Sequence, residues 1–111
     1  TMVRRSKQGA ELMKLPVYLD PDDVEIIDGF HGGAYAAPTD AAFEAIHLVA
    51  QTEAVILDPN YTGKSMSALI ARIRSGGFSE DDTVLFLHSG GLPQVFAFNE
   101  ELAAWSPSSN D

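Results

Sequence analysis

Val84-Leu85-Phe86-Leu87 is apolar at every position, follows Thr83 and runs through His88 into Ser89-Gly90-Gly91. A segment without a polar face predicts a strand covered by helices on both sides, as in a parallel sheet. That narrows the chain to an α/β arrangement. Loops at the carboxyl ends of such strands converge, and glycines there let a ligand approach the backbone.

The rest of the pattern is consistent with that class. Residues 2–13 predict a helix with Ala10, Leu12 and Met13 as its apolar positions and Pro16 as its stop, but with no start signal. Either a piece cut from a longer protein or a frayed terminus would look this way. Asp20-Pro21-Asp22-Asp23 reads as a turn, Val24–Ile27 as a short strand and 28–37, with three glycines, as a loop. Residues 38–52 form the clearest helical pattern, with Thr39 as cap, Asp40 and Glu44 toward the positive end, and Ala42, Ala45, Ile46 and Val49 on one face. Val55–Leu57 is a second short strand. A further helix is predicted over 63–75, with Met66, Leu69, Ile70 and Ile73 at core spacing and Gly76-Gly77 to end it. Gln94–Phe98 is a last apolar segment, 100–105 a brief helix, and 106–111 a disordered tail.

At 111 residues and 45% hydrophobic the chain suits one unit, either a domain or a piece of one. The absence of cysteine excludes disulfides and thiolate metal sites and suits a reducing cytoplasm. No apolar run approaches ~18 residues and no leader pattern is visible, so neither a membrane span nor secretion is expected. Net charge is -9, while Arg4, Arg5, Lys7 and Lys14 crowd the start, leaving a strongly acidic remainder. Such a surface repels phosphate backbones, so nucleic acid is not an expected partner.

Chemistry concentrates in Asp58-Pro59-Asn60-Tyr61-Thr62-Gly63-Lys64-Ser65. Gly63-Lys64-Ser65 matches the end of a phosphate-binding loop, yet Asp58 stands where that motif needs its first glycine. A nucleotide site is therefore disfavoured. His31, His47 and His88 have no ligand spacing among them, so no metal is expected. His47 is expected to face solvent, and His88 to orient a loop by hydrogen bonding. Tyr35 and Tyr61 sit in loops rather than on core faces, where a phenol offers a stacking surface and a proton.

Residues 55–66, followed by Val84–Gly91 and preceded by Tyr35-Ala36-Ala37-Pro38-Thr39 and Glu44-Ala45-Ile46, resemble the C-terminal part of the D-cysteine desulfhydrase and 1-aminocyclopropane-1-carboxylate deaminase family. The likeness spans about residues 30–98 in three ordered anchors. It implies a tryptophan-synthase β-like, fold type II enzyme that uses pyridoxal 5'-phosphate, with parallel strands, flanking helices and a homodimeric parent. By the same resemblance Tyr61 and Tyr35 are the catalytic residues, and Ser89, Thr62 and Gly90 lie against the cofactor. In the deaminase branch Glu and Leu replace Thr62 and Ser89, so this pair favours β-elimination of a D-amino acid to pyruvate, ammonia and sulfide. Ring opening by a deaminase-like site and a truncated, non-catalytic interaction module are the alternatives.

Two departures stand out. Ala36 replaces the family's usual glycine, and Asn60 occupies a position where a small apolar residue is usual. The family's Schiff-base lysine and phosphate-cradling loop precede the matched part and are not identifiable in residues 1–29. They are expected from the remainder of the enzyme, as upstream sequence or a separate chain.

Overall fold

The computed structural model describes residues 1–107, so most of the expected disordered tail, residues 108–111, lies outside the described residues. Its centre is a helix whose ends and buried face can both be traced to sequence. Helix α2 spans Asp40–Glu53; the Thr39 hydroxyl accepts from the Ala42 N–H at 3.1 Å, supplying one of the partners that the first turn lacks. Ala42, Phe43, Ala45 and Ile46 are buried. Helix α3, Thr62–Arg74, packs on α2, and its approach is set by Gly63. A Cβ there would lie 3.1 Å from Ile46 Cδ1 and 2.6 Å from the Asp58 carbonyl. Phe43, Ile46 and Leu57 form the core, against which Val49, Met66, Phe86, Leu102 and Trp105 are partly buried.

The face of α3 differs from the expected one. Its buried residues are Thr62, Gly63, Lys64 and Ser67, while Ile73 is exposed. The helix is fastened through its polar first two turns, which meet the Asp58 loop, and not through a full apolar stripe. His47 also departs from expectation: Nδ1 is 2.9 Å from the Phe43 carbonyl and the ring lies 4.6 Å from that of Trp105, so it is half-buried rather than fully out in solvent.

Helix α1 covers Met2–Met13 as expected and ends at Lys14, whose φ of 54° places it in the left-handed region before Pro16 is reached. Of its three expected apolar positions only Ala10 is buried. The 20–23 turn is a short 3-10 segment, Pro21–Asp23. The two C-terminal pieces are helices, α4 at Gln94–Ala97 and α5 at Asn99–Ala104.

The expected parallel strands do not form: among the described residues there is none. Val24–Ile27, Val55–Leu57 and Thr83–His88 each run without a ladder partner. A strand is a pairing and not a shape, since its N–H and C=O groups must meet a neighbour. Phe86 still turns onto the core, whereas Leu85 and Leu87 are 92% and 80% exposed. The period-2 alternation is therefore present with one face bare. His88 Nε2 to the Ile56 carbonyl, 2.9 Å, is the bond that ties two of these segments together.

Candidate functional site

The site is built around a buried carboxylate. Asp58, fully inaccessible, accepts from the N–H groups of Asn60 and Tyr61 through Oδ2 and of Thr62 through Oδ1, each at 2.8 Å. The Thr62 hydroxyl donates to Oδ1 at 2.7 Å and accepts from the Asp58 N–H at 2.9 Å. Burial alone would push this carboxyl's pKa up, but the hydrogen bonds from Thr62, Tyr61 and Asn60 together outweigh burial and hold it below the ordinary 3.8. A negative charge thus sits on the amides that open α3, where the helix dipole favours it. Those amides are occupied, so the start of α3 cannot cradle a phosphate. That is the physical content of the displaced glycine in the phosphate-loop pattern.

Two glycine-dependent approaches complete this hub. Gly91, at φ 93°, runs so close to the Asp58 carboxylate that a Cβ would fall 2.5 Å from Cγ. Gly91 of the Ser89-Gly90-Gly91 turn therefore lies against Asp58, where no side chain would fit. On the other side Lys64, buried, donates from Nζ to the His31 carbonyl at 2.7 Å and fastens the glycine-rich loop to α3. Its ammonium acts as a clamp.

Above the hub the two phenols meet. Tyr35 Oη and Tyr61 Oη are 2.7 Å apart, with ring centroids 6.2 Å apart and planes inclined at 58°. The hydrogen bond with Tyr35, first, and lesser effects of burial and nearby negative charge raise the pKa of Tyr61, so it stays a proton donor at neutral pH. Tyr61 and Ser89 both line a cavity of about 390 Å³ that also touches Asn60, Lys64, Phe30 and His31. Tyr35 opens onto an adjoining cavity of about 400 Å³ that shares Asn60, Tyr61 and Lys64 with the first.

The five residues expected from sequence are thus distributed unevenly. Tyr61, Tyr35 and Ser89 come together around these connected spaces. Thr62 is turned inward onto Asp58, and Gly90 contributes a backbone bend at φ 114° without lining the first cavity. His88 orients a loop through Ile56, as its position at a segment end suggested. Asp58, Asn60 and Lys64 lie in the stretch where chemistry was expected, but no site role of their own was expected of them. Asp58 had a signal, because an Asp followed by a helix start is a capping pattern. The Lys64 clamp had none, since its partner is a backbone carbonyl 33 residues away.

Comparison with known proteins places the chain in a family. The family model described as "Pyridoxal-phosphate dependent enzyme" matches residues 2–90. D-cysteine desulfhydrases from Salmonella newport and Salmonella dublin are each 43% identical over 77 residues, which is 69% of this chain and 24% of theirs. A solved structure of an ACC deaminase homologue superposes with a TM-score of 0.68 at 34% identity, covering 87% of this chain and 28% of that one. The chain therefore spans about a quarter of the length of the relatives it matches. With the match extending over most of its length, from α1 through the Ser89-Gly90 turn, the chain belongs to the pyridoxal-phosphate dependent enzymes.

Proposed function

We propose that this chain is part of a D-cysteine desulfhydrase-like enzyme and supplies one wall of its active site. The reaction would convert D-cysteine and water to pyruvate, ammonia and hydrogen sulfide by β-elimination. The observation that carries this reading is the Tyr35–Tyr61 phenol pair on the same cavity system as Ser89, in a chain with 43% identity to D-cysteine desulfhydrases.

The residues present fit one face of pyridoxal phosphate and not all of it. When bound, the cofactor supplies the electron sink that makes the α-proton of an amino acid removable. Ser89 would offer a neutral hydroxyl to the ring nitrogen, and Tyr61 would offer its phenol from the same cavity. A neutral partner holds that nitrogen less firmly protonated than a carboxylate would. Tyr61, a neutral phenol at physiological pH, can deliver a proton to a leaving thiolate, and Tyr35 can resupply it across the 2.7 Å bond. Asp58, Thr62 and Lys64 hold these groups in place. The phosphate has no cradle here, because the α3 amides serve Asp58. Nor is an attachment lysine free: Lys64 is clamped to His31, and Lys7 and Lys14 belong to α1 and its end.

Those missing parts are assigned to the remainder of the parent enzyme. The same remainder would pair the unladdered segments into the parallel sheet and cover Leu85 and Leu87. A homodimeric parent in a reducing cytoplasm accords with the family resemblance and the lack of cysteine. No helix among the described residues is long and apolar enough to cross a membrane.

The decisive experiment combines intact mass with the visible spectrum after adding pyridoxal phosphate, for this chain alone and for the intact parent. Bound-cofactor absorbance and sulfide release from D-cysteine are expected from the parent only. A parent that binds the cofactor yet releases no sulfide would sink the desulfhydrase reading. The deaminase alternative rests on the 34% identical structure and predicts ammonia release from 1-aminocyclopropane-1-carboxylate instead. Since Thr62 is turned onto Asp58, Ser89 is the cavity residue that separates the two.

A further inference from the structure

We infer that Asn60 is a positioning residue whose carboxamide pins the left-handed backbone of Ala36 and thereby holds the Tyr35 phenol against that of Tyr61. Three non-glycine residues have positive φ among those described: Lys14, Ala36 and Ala54. Lys14 and Ala54 are helix C-caps, where this conformation is ordinary. Ala36, at φ 56°, is the third residue of a turn closed by the Ala37 N–H on the Ala34 carbonyl at 3.4 Å, a position where glycine is usual and alanine is strained. The Ala36 N–H donates to Asn60 Oδ1 at 3.0 Å, across 24 residues of chain, and holds that turn to the wall.

Packing cannot do this positioning, because Tyr35 is 74% exposed. Beyond the Lys64 clamp at His31, its loop is held to this wall by the Ala36 bond and by the phenol contact. Asn60 is suited to the role because it is itself fixed. It is 7% exposed, and its own N–H is held by Asp58 Oδ2. The Ala36 donor dictates which end of the carboxamide faces it, and Nδ2 is left buried without a hydrogen-bond partner among the described residues. An unpaired buried donor is a cost that an apolar residue would not carry. The bonds form a closed circuit from Asp58 through Asn60, Ala36 and Tyr35 to Tyr61, whose N–H returns to Asp58. Ala36 and Asn60 are also the two positions where the sequence departs from the pattern it resembles.

The inference concerns the phenol pair used in the proposed reaction, and its effect on turnover rests on that reading. Its test therefore avoids turnover. Isotope-labelled tyrosine rings allow Tyr61 to be titrated individually by NMR in this chain. Tyr35→Phe is expected to make Tyr61 more acidic, whereas Asn60→Val also removes a carboxamide contact that itself lowers the Tyr61 pKa, so its readout is the ring-to-ring nuclear Overhauser effect between Tyr35 and Tyr61, which is expected to be lost. Adding Ala36→Gly to Asn60→Val removes the backbone strain and is expected to recover at least part of that effect. An unchanged ring-to-ring effect in an Asn60→Val protein with a native circular dichroism spectrum overturns the proposal, as does a double variant that recovers nothing. Should Asn60→Val fail to fold, amide exchange in the unaltered chain decides. Protection of the Ala36 N–H by about tenfold or more over an unstructured peptide supports the bond to Asn60, and free exchange overturns it.

Discussion

At the scale of single residues, Asp58 matters most because one carboxylate satisfies four donors at once. Asp58→Ala would leave the N–H groups of Asn60, Tyr61 and Thr62 and the Thr62 hydroxyl without that acceptor. The expected loss is about 3 kcal/mol in urea unfolding, with Asp58→Asn losing less because one oxygen remains. The sign of the pH effect follows from the depressed pKa. The contribution is complete above the ordinary 3.8 and is lost as pH falls through the lower folded value. Unfolding followed by Trp105 fluorescence should show stability dropping below about pH 4, less steeply in Asp58→Asn than in the unaltered chain. An equal slope in both would remove Asp58 from the account. Tyr61→Phe and Ser89→Ala, made in the intact parent, should each slow sulfide release from D-cysteine by about tenfold or more if they assist proton transfer or cofactor binding. Unaltered rates would discard both assignments.

Elements meet here through small residues and caps. Gly63→Ala drives a methyl toward the Asp58 carbonyl and Ile46, and is expected to cost about 2 kcal/mol by overpacking. Thr39→Ala leaves the Ala42 N–H without its cap and should cost about 1 kcal/mol. Both can be read from thermal unfolding, and the comparison is informative because the Thr39 hydroxyl serves only the start of α2 while Gly63 adjoins the Asp58 hub. Gly63→Ala should therefore also disturb the Tyr61 titration, and Thr39→Ala should not. The order reversed would mean that α3 is not seated through its polar first turn.

For the whole molecule, the bare side of Thr83–His88 is the controlling feature. Leu85 and Leu87 each forgo about 2 kcal/mol of burial while uncovered. The chain alone is expected to bind a hydrophobic-surface dye and to associate without fixed stoichiometry as concentration rises, and the intact parent to bind no dye and to stop at a homodimer. Dye binding of equal strength in the parent would show that these residues are not covered there.

Sequence by itself determined what depends on near neighbours. The 3.6-residue pattern and Thr39 placed α2 within two residues of its observed limits, and α1 was found over 2–13. Asp58 removed the phosphate-loop reading, and the loop positions of Tyr35 and Tyr61 marked them as chemical rather than core. Tertiary structure alone decided what depends on distant partners. It left the apolar run of Val84–Leu87 unpaired, because a ladder needs a second strand that no local pattern supplies. It turned Thr62 onto Asp58 and away from the cavity, since its hydroxyl could satisfy a buried carboxylate four residues back. And it joined Ala36 to Asn60, 24 residues apart, where sequence could only note that each was unusual.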